Sequence, residues 1–143
     1  NIILMAKGLK NILKSLEKFG DEAKQMVEDT TIAVAHEIEA DAKRLAPVKD
    51  GFLRNQIFTQ EVDPLFYEIV AGAYYSAYME FGTGGLVEVP EEMKEIAIQF
   101  KGNGVKQVNI TPRPFLYPAF VKGRTQYIDD LQDVLDDLTK KYN

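Results

Sequence analysis

The sequence predicts an α+β fold in which a long N-terminal helix and a C-terminal helix pack on a small, mainly antiparallel β-sheet. Three observations point there. Apolar residues recur at helical spacing from Leu9 to Leu45. They do so again beyond Pro114. Between the two, Asn55–Val62 and Leu65–Ala71 alternate loosely, with β-branched and aromatic residues. The 143 residues suit one domain with one core, taken as residues 1–143 with an excursion at about 84–109.

The first helix carries the stripe Leu9, Ile12, Leu13, Leu16, Phe19, Ala23, Met26, Val27, Val34, Ile38, Ala42 and Leu45, with Thr30 filling its one gap. Gly20 is placed to kink or split it, since glycine costs about 1 kcal/mol relative to alanine inside a helix. Asp21 is then the natural cap of the second piece. Pro47 ends the helix, because the residue before proline is pushed out of the α region. Asp50-Gly51 marks a turn, and Asp63-Pro64 joins the two expected strands. Tyr74–Phe81 fits either a short helix or a third strand. In the excursion, Pro90-Glu91-Glu92 opens a helix with Met93, Ile96, Ala97 and Phe100 on one face. After the Gly102-Asn103-Gly104 turn, Val105–Ile110 alternates enough for a strand. The last helix shows Leu116, Phe120, Tyr127, Leu131, Val134, Leu135, Leu138 and Tyr142 on one face, with Pro118 tolerable only near its first turn.

Composition narrows the function classes. With no cysteine, disulfides, zinc–thiolate sites and thiol catalysis are excluded. No apolar run reaches the roughly 18–20 residues of a membrane span. The opening Asn1–Ala6 is too short for a secretory signal core, so the expected compartment is the cytoplasm. The net charge is −5, and the surplus lies late: residues 1–54 hold nine basic and nine acidic side chains, residues 55–143 eight and thirteen. No basic stripe of the kind that neutralises DNA phosphates is present.

Candidate chemistry is sparse. His36 is the sole histidine and points away from the apolar stripe, without the second histidine of a zinc-protease helix. Ser15 and Ser76 are the only serines, and neither lies in a nucleophile elbow. Gly82-Thr83-Gly84-Gly85 lacks the Gly-Lys-Ser/Thr end of a phosphate loop and reads as a turn. Asp129, Asp130, Asp133, Asp136 and Asp137 form the polar side of the last helix rather than a calcium loop, or else an acidic face for a basic partner. No catalytic, cofactor or metal residue is assigned. Glu80 stands out, because it sits among Tyr75, Tyr78 and Phe81. If buried it needs a partner, and Arg54 or Arg113 is available for a bidentate bond.

Three boxes join turn residues to aromatic or apolar anchors. They are Ala46–Arg54 with Pro47, Gly51, Leu53 and Arg54; Tyr74–Gly84 with Tyr75, Ala77, Tyr78, Glu80, Phe81, Gly82 and Thr83; and Pro112–Phe120 with Pro112, Pro114, Phe115, Leu116, Pro118 and Ala119. In order and content they resemble the Pro-x-x-x-Gly-x-Leu-Arg, Tyr-Ala-x-Tyr-x-Glu-Phe-Gly-Thr and Pro-x-Pro-Phe-Leu-x-Pro-Ala boxes of a family of small tail-component proteins of tailed bacteriophages, the HK97 gene-product-10 type. In the second box Ser76 precedes Ala77. The likeness runs from about residue 8 to the C-terminus.

The resemblance implies a non-enzymatic structural protein of a tailed phage or prophage. It would form part of the neck or tail-completion ring that joins head connector to tail. Implied partners are further copies of the chain in a ring and other neck, connector and tail-tube proteins. DNA would transit the ring without specific binding, and no membrane is involved. The place would be the virion, after synthesis in the bacterial host cytoplasm. The boxes are expected to fix the fold, with Glu80 tied to Arg54 as a buried pair. Two other classes stand beside this one: a small host- or prophage-encoded binding or adaptor module, and a metal-dependent hydrolase using clustered carboxylates.

Overall fold

The computed structural model describes residues 15–49, 51–100 and 108–142. Helix α1 (Gly20–Leu45) stops where Pro47 dictates: Ala46 takes φ −58° and ψ 132°, extended backbone, while its N–H still closes the last turn on the Ala42 carbonyl. The expected break at Gly20 is present, with a single 3-10 turn, Glu17–Phe19, before it. Asp21 does not cap the helix. Phe19 holds the cap position, and Asp21 lies inside the first turn, where its charge acts on the helix dipole. Leu9, Ile12 and Leu13 fall outside the described residues.

The buried stripe of α1 is Ala23, Val27, Thr31, Val34, Ala35, Ile38 and Ala42. Thr31, not Thr30, fills the gap in the apolar series. Its hydroxyl donates to the Val27 carbonyl at 2.6 Å. That uses its only proton, so the Tyr127 hydroxyl, also 2.6 Å away, donates to it. A buried threonine is tolerated here because both its roles are met.

A short helix α2 (Phe52–Asn55) leads into the hairpin of β1 (Ile57–Asp63) and β2 (Phe66–Ala71), paired antiparallel from Ile57↔Ala71 to Asp63↔Phe66 with an irregularity at Glu61/Asp63. The Asp63 carboxylate accepts the Leu65 N–H at 2.7 Å and so sets the turn. Ile57 and Ile69 are buried in the core shared with α1. On the free edge of β1, the Thr59 N–H donates to Glu39 of α1 at 2.9 Å, which blunts that edge.

Helix α3 (Ser76–Phe81) resolves the ambiguous aromatic segment as helix. The helix expected from Pro90 is instead broken into a 3-10 turn (Glu91–Met93), helix α4 (Lys94–Ala97) and a second 3-10 turn (Ile98–Phe100). So short a segment containing Ile96 and Ile98 does not sustain α-helical bonding by itself. Met93 still reaches the core. The expected strand at Val105–Ile110 is not formed by residues 108–110, and residues 105–107 lie outside the described ones. Among the described residues the sheet has two strands.

Helix α5 (Leu116–Tyr142) runs antiparallel to α1. Lys122 meets Asp41 at 2.9 Å near one end, and Lys141 meets Glu22 at 2.5 Å at the other. Between them Gly123 lies directly on Ile38. A Cβ at Gly123 would fall 2.1 Å from Ile38 Cγ1, so glycine permits this close helix approach. The main core lies between these helices and the hairpin, with Phe115, Leu116, Ala119, Leu131 and Leu138 at most 1% exposed.

Candidate functional site

The first box makes the corner between α1 and α2. Leu53 is buried, and the Arg54 Nε donates to the Lys43 carbonyl at 2.8 Å. That bond serves an end-of-helix carbonyl left without an intrahelical donor. Phe52 stacks on Tyr75 of the second box at 6.2 Å, and Tyr74 meets Tyr75 edge-on at 5.0 Å.

The second and third boxes meet at Glu80. Helix α3 turns Ala77, Glu80 and Phe81 inward and leaves Tyr78 exposed. Glu80 is 2% exposed. Its carboxylate accepts the N–H groups of Phe115 and Leu116 on Oε2, both at 2.9 Å, and of Tyr117 on Oε1 at 2.8 Å. These are first-turn donors of α5 that have no partner inside the helix. The fourth position is Pro118, which has no N–H. One carboxylate and one proline therefore settle the whole helix start. A buried carboxylate costs several kcal/mol when unpaired. Here three charge-assisted bonds and roughly half a positive charge of helix dipole offset that cost.

A clasp of backbone bonds flanks this joint. The Arg113 N–H donates to the Met79 carbonyl at 2.7 Å, and the Thr83 N–H to the Ile110 carbonyl at 3.0 Å. Thr83 Oγ1 accepts the Ile110 N–H at 2.9 Å and donates to the Val108 carbonyl. The Gly85 N–H donates to the Asn109 side chain at 3.0 Å. Gly82 has φ +75°, and a Cβ there would stand 2.7 Å from the Ile110 carbonyl oxygen. Glycine is demanded by both conformation and space.

Of the two readings the sequence leaves open for Glu80, exposed or buried among aromatics, the buried one holds, but the ion pair with Arg54 is not formed. Arg54 is engaged by Lys43, Arg113 is exposed, and Glu80 bonds to backbone. Of the box residues, Leu53, Ala77, Glu80, Phe81, Gly82, Phe115, Leu116 and Ala119 are buried. Pro47, Gly51, Arg54, Tyr75, Thr83 and Pro112 are half-buried, whereas Tyr78, Pro114 and Pro118 are exposed. Sequence reasoning missed Asn109 and the Gly123–Ile38 contact. A glycine inside a strongly amphipathic helix was the available signal for the second.

Elsewhere the geometry offers little chemistry. The His36 side chain is 61% exposed and 3.8 Å from Glu39. Among the described residues no three histidine, aspartate or glutamate side chains converge to hold a metal ion. Asp129, Asp133, Asp136 and Asp137 lie exposed along α5. No helix of the described residues is long and apolar enough to cross a membrane. An open apolar cavity of about 410 Å³ lies between α3 and the excursion, lined by Tyr78, Phe81, Val87, Ala97, Ile98 and Phe100 among others.

No curated protein and no solved structure matches the chain. The sequence profile of the family described as "Bacteriophage HK97-gp10, putative tail-component" matches residues 10–82. The match takes in α1, the hairpin, the first box and the second box as far as Gly82, beside the clasp. The chain belongs to the HK97-gp10-like family of bacteriophage tail components.

Proposed function

We propose that the chain is a non-enzymatic structural subunit of a tailed phage or prophage particle, and that its copies form part of the neck or tail-completion ring between head connector and tail. The observation that carries this reading is the joint at Glu80. Among the described residues Glu80 is the one strongly buried carboxylate, and it is used up in bonding one backbone element to another. The second and third boxes therefore meet in a joint that sets shape. Its partners are other neck, connector and tail-tube proteins, and its place is the virion, reached from the bacterial host cytoplasm. DNA passes the ring without specific binding, in keeping with the net charge of −5. Residues 1–143 act as one tail-component domain that includes the excursion at 84–109.

The test is to disrupt the gene in a phage or inducible prophage that encodes it and to image the lysate by electron microscopy. The expected result is full heads and tails that remain unjoined, and that join when the purified protein is added. Normal yields of joined, infectious particles without the protein would overturn the reading.

A further inference from the structure

The end of the molecule where α1 starts holds an open groove of about 300 Å³. Leu16, Ala23, Val27 and Leu65 give it apolar walls, and the exposed Glu17, Asp21 and Lys24 also line it. Its members on α1 recur from Gly20 through Ala23 to Val27, at steps of three and four. The groove therefore follows a ridge of α1 about 10 Å long, with Leu65 of the hairpin turn beside it. The surroundings are acidic. Residues 15–30 and 61–68 hold eight acidic and two basic side chains, and the adjoining end of α5, residues 133–142, adds three and two. One of those four cations, Lys141, is already paired with Glu22.

The sequence directly before the groove has the complementary chemistry. Residues 1–14, which precede the described ones, carry Lys7, Lys10 and Lys14 and no acidic side chain. Ile2, Met5, Leu9, Ile12 and Leu13 stand 14, 11, 7, 4 and 3 positions before Leu16, the spacing of one apolar helix face that ends on Leu16. Leu16 itself is 2% exposed and forms part of the groove. Ser15 and Leu16 are helical, the 3-10 turn Glu17–Phe19 follows, and Gly20 takes φ +69° as α1 begins. So short a connection sets two helices side by side and antiparallel. The seven-residue step from Leu9 to Leu16 equals that from Gly20 to Val27, about 10 Å in each case.

We propose that this groove is the docking site of the chain's own residues 1–14, seated as an amphipathic arm along the first two turns of α1. Leu9, Ile12 and Leu13 supply the apolar face that meets Ala23, Val27 and Leu65. Lys7, Lys10 and Lys14 bring positive charge to an end with an acidic surplus, an attraction that salt weakens. The tether selects the chain's own arm over a free segment, because it holds the arm beside the groove at an effective concentration of the order of millimolar. A partner reaches the groove only by displacing the arm, which makes the arm a cover for an apolar surface.

The chain has no cysteine, which allows a clean test. Full-length chain carrying Leu13→Cys with Leu65→Cys is oxidised in dilute solution, beside a control carrying Lys10→Cys with Leu65→Cys. Monomer with an internal disulfide is expected to form several-fold faster from the Leu13 pair than from the Lys10 pair. The rate should fall as salt is raised, and again when Glu17→Lys and Glu61→Lys are added. In the unmodified chain, amides of residues 5–13 should exchange about tenfold more slowly than after Leu9→Asp. Equal rates for the two cysteine pairs would overturn the proposal, as would arm amides that exchange equally fast with and without Leu9→Asp. A disulfide-linked dimer in place of the linked monomer would overturn it too, by giving the groove to a second copy's arm. The ring reading stands or falls separately, with the gene disruption.

Discussion

Glu80 and Pro118 divide the first turn of α5 between them: the carboxylate accepts three N–H groups, and the proline removes the fourth. The joint therefore depends on acceptor oxygens and not on a cation. Glu80→Ala should lower stability by about 3 kcal/mol, because it strands buried donors at a helix start. At the usual conversion this is about 10 °C of melting temperature by circular dichroism. Glu80→Gln, which keeps one acceptor oxygen, should fall between. Arg54→Ala should cost clearly less than Glu80→Ala; equal losses would restore the ion pair that the geometry denies.

Gly82→Ala meets two obstacles at once, a φ of +75° and the Ile110 carbonyl 2.7 Å from the new Cβ. The expected loss is about 2–3 kcal/mol. Hydrogen exchange should quicken at the Ile110 and Arg113 amides, whose acceptors belong to the clasp. Unchanged protection at both amides would show that the clasp absorbs a side chain.

Gly123→Ala tests the helix contact. Helix propensity alone would make it stabilising by about 1 kcal/mol. The new methyl would lie 2.1 Å from Ile38 Cγ1, and a β-branched side chain in a helix has little rotamer freedom to retreat. A net loss of about 1–3 kcal/mol follows from overpacking. Adding Ile38→Ala should make the double variant more stable than the sum of the singles implies, read from urea melts.

Alkaline pH should weaken the fold through Tyr127. Burial pushes its phenol above the usual tyrosine range. The folded state then holds a proton that the unfolded chain releases. Stability from this group is complete below the unfolded value of about 10 and is lost as pH rises from there through the folded value. Tyr127→Phe should remove this part of the alkaline slope. Tyr67, Tyr117 and Tyr142 are also raised and will leave some slope behind. An unchanged slope in denaturant melts from about pH 8 to 11 would contradict the assignment.

Much of the architecture was legible because its signals are local. Pro47 ended α1, Asp63-Pro64 turned the hairpin, and the stripe from Leu116 to Leu138 marked α5. The partner of Glu80 was not legible. It is a set of backbone amides more than thirty residues away, and amides leave no residue type in the sequence to search for. Helix phase puts Thr31, four residues from Val27 and from Ala35, on the buried face, but the hydroxyl that partners it there comes from Tyr127, 96 positions on, and was not legible. Residues 108–110 look like a strand in alternation, yet the backbone groups of Val108 and Ile110 go to Thr83 and the Asn109 side chain to Gly85, not to a ladder.

The bonds between Thr83 and Ile110 have one further consequence. They pinch the chain where it leaves the body of the protein and where it returns. Whatever lies between is a handle on a closed ring of backbone. Its length can change without moving Gly82 or Pro112, provided something fills the place of Met93 in the core and of Glu92 beside Tyr117 and Arg124. The handle is thus open to exchange for another, as one changes a tool at a fixed chuck, while the helix start at Leu116 keeps its seat on Glu80.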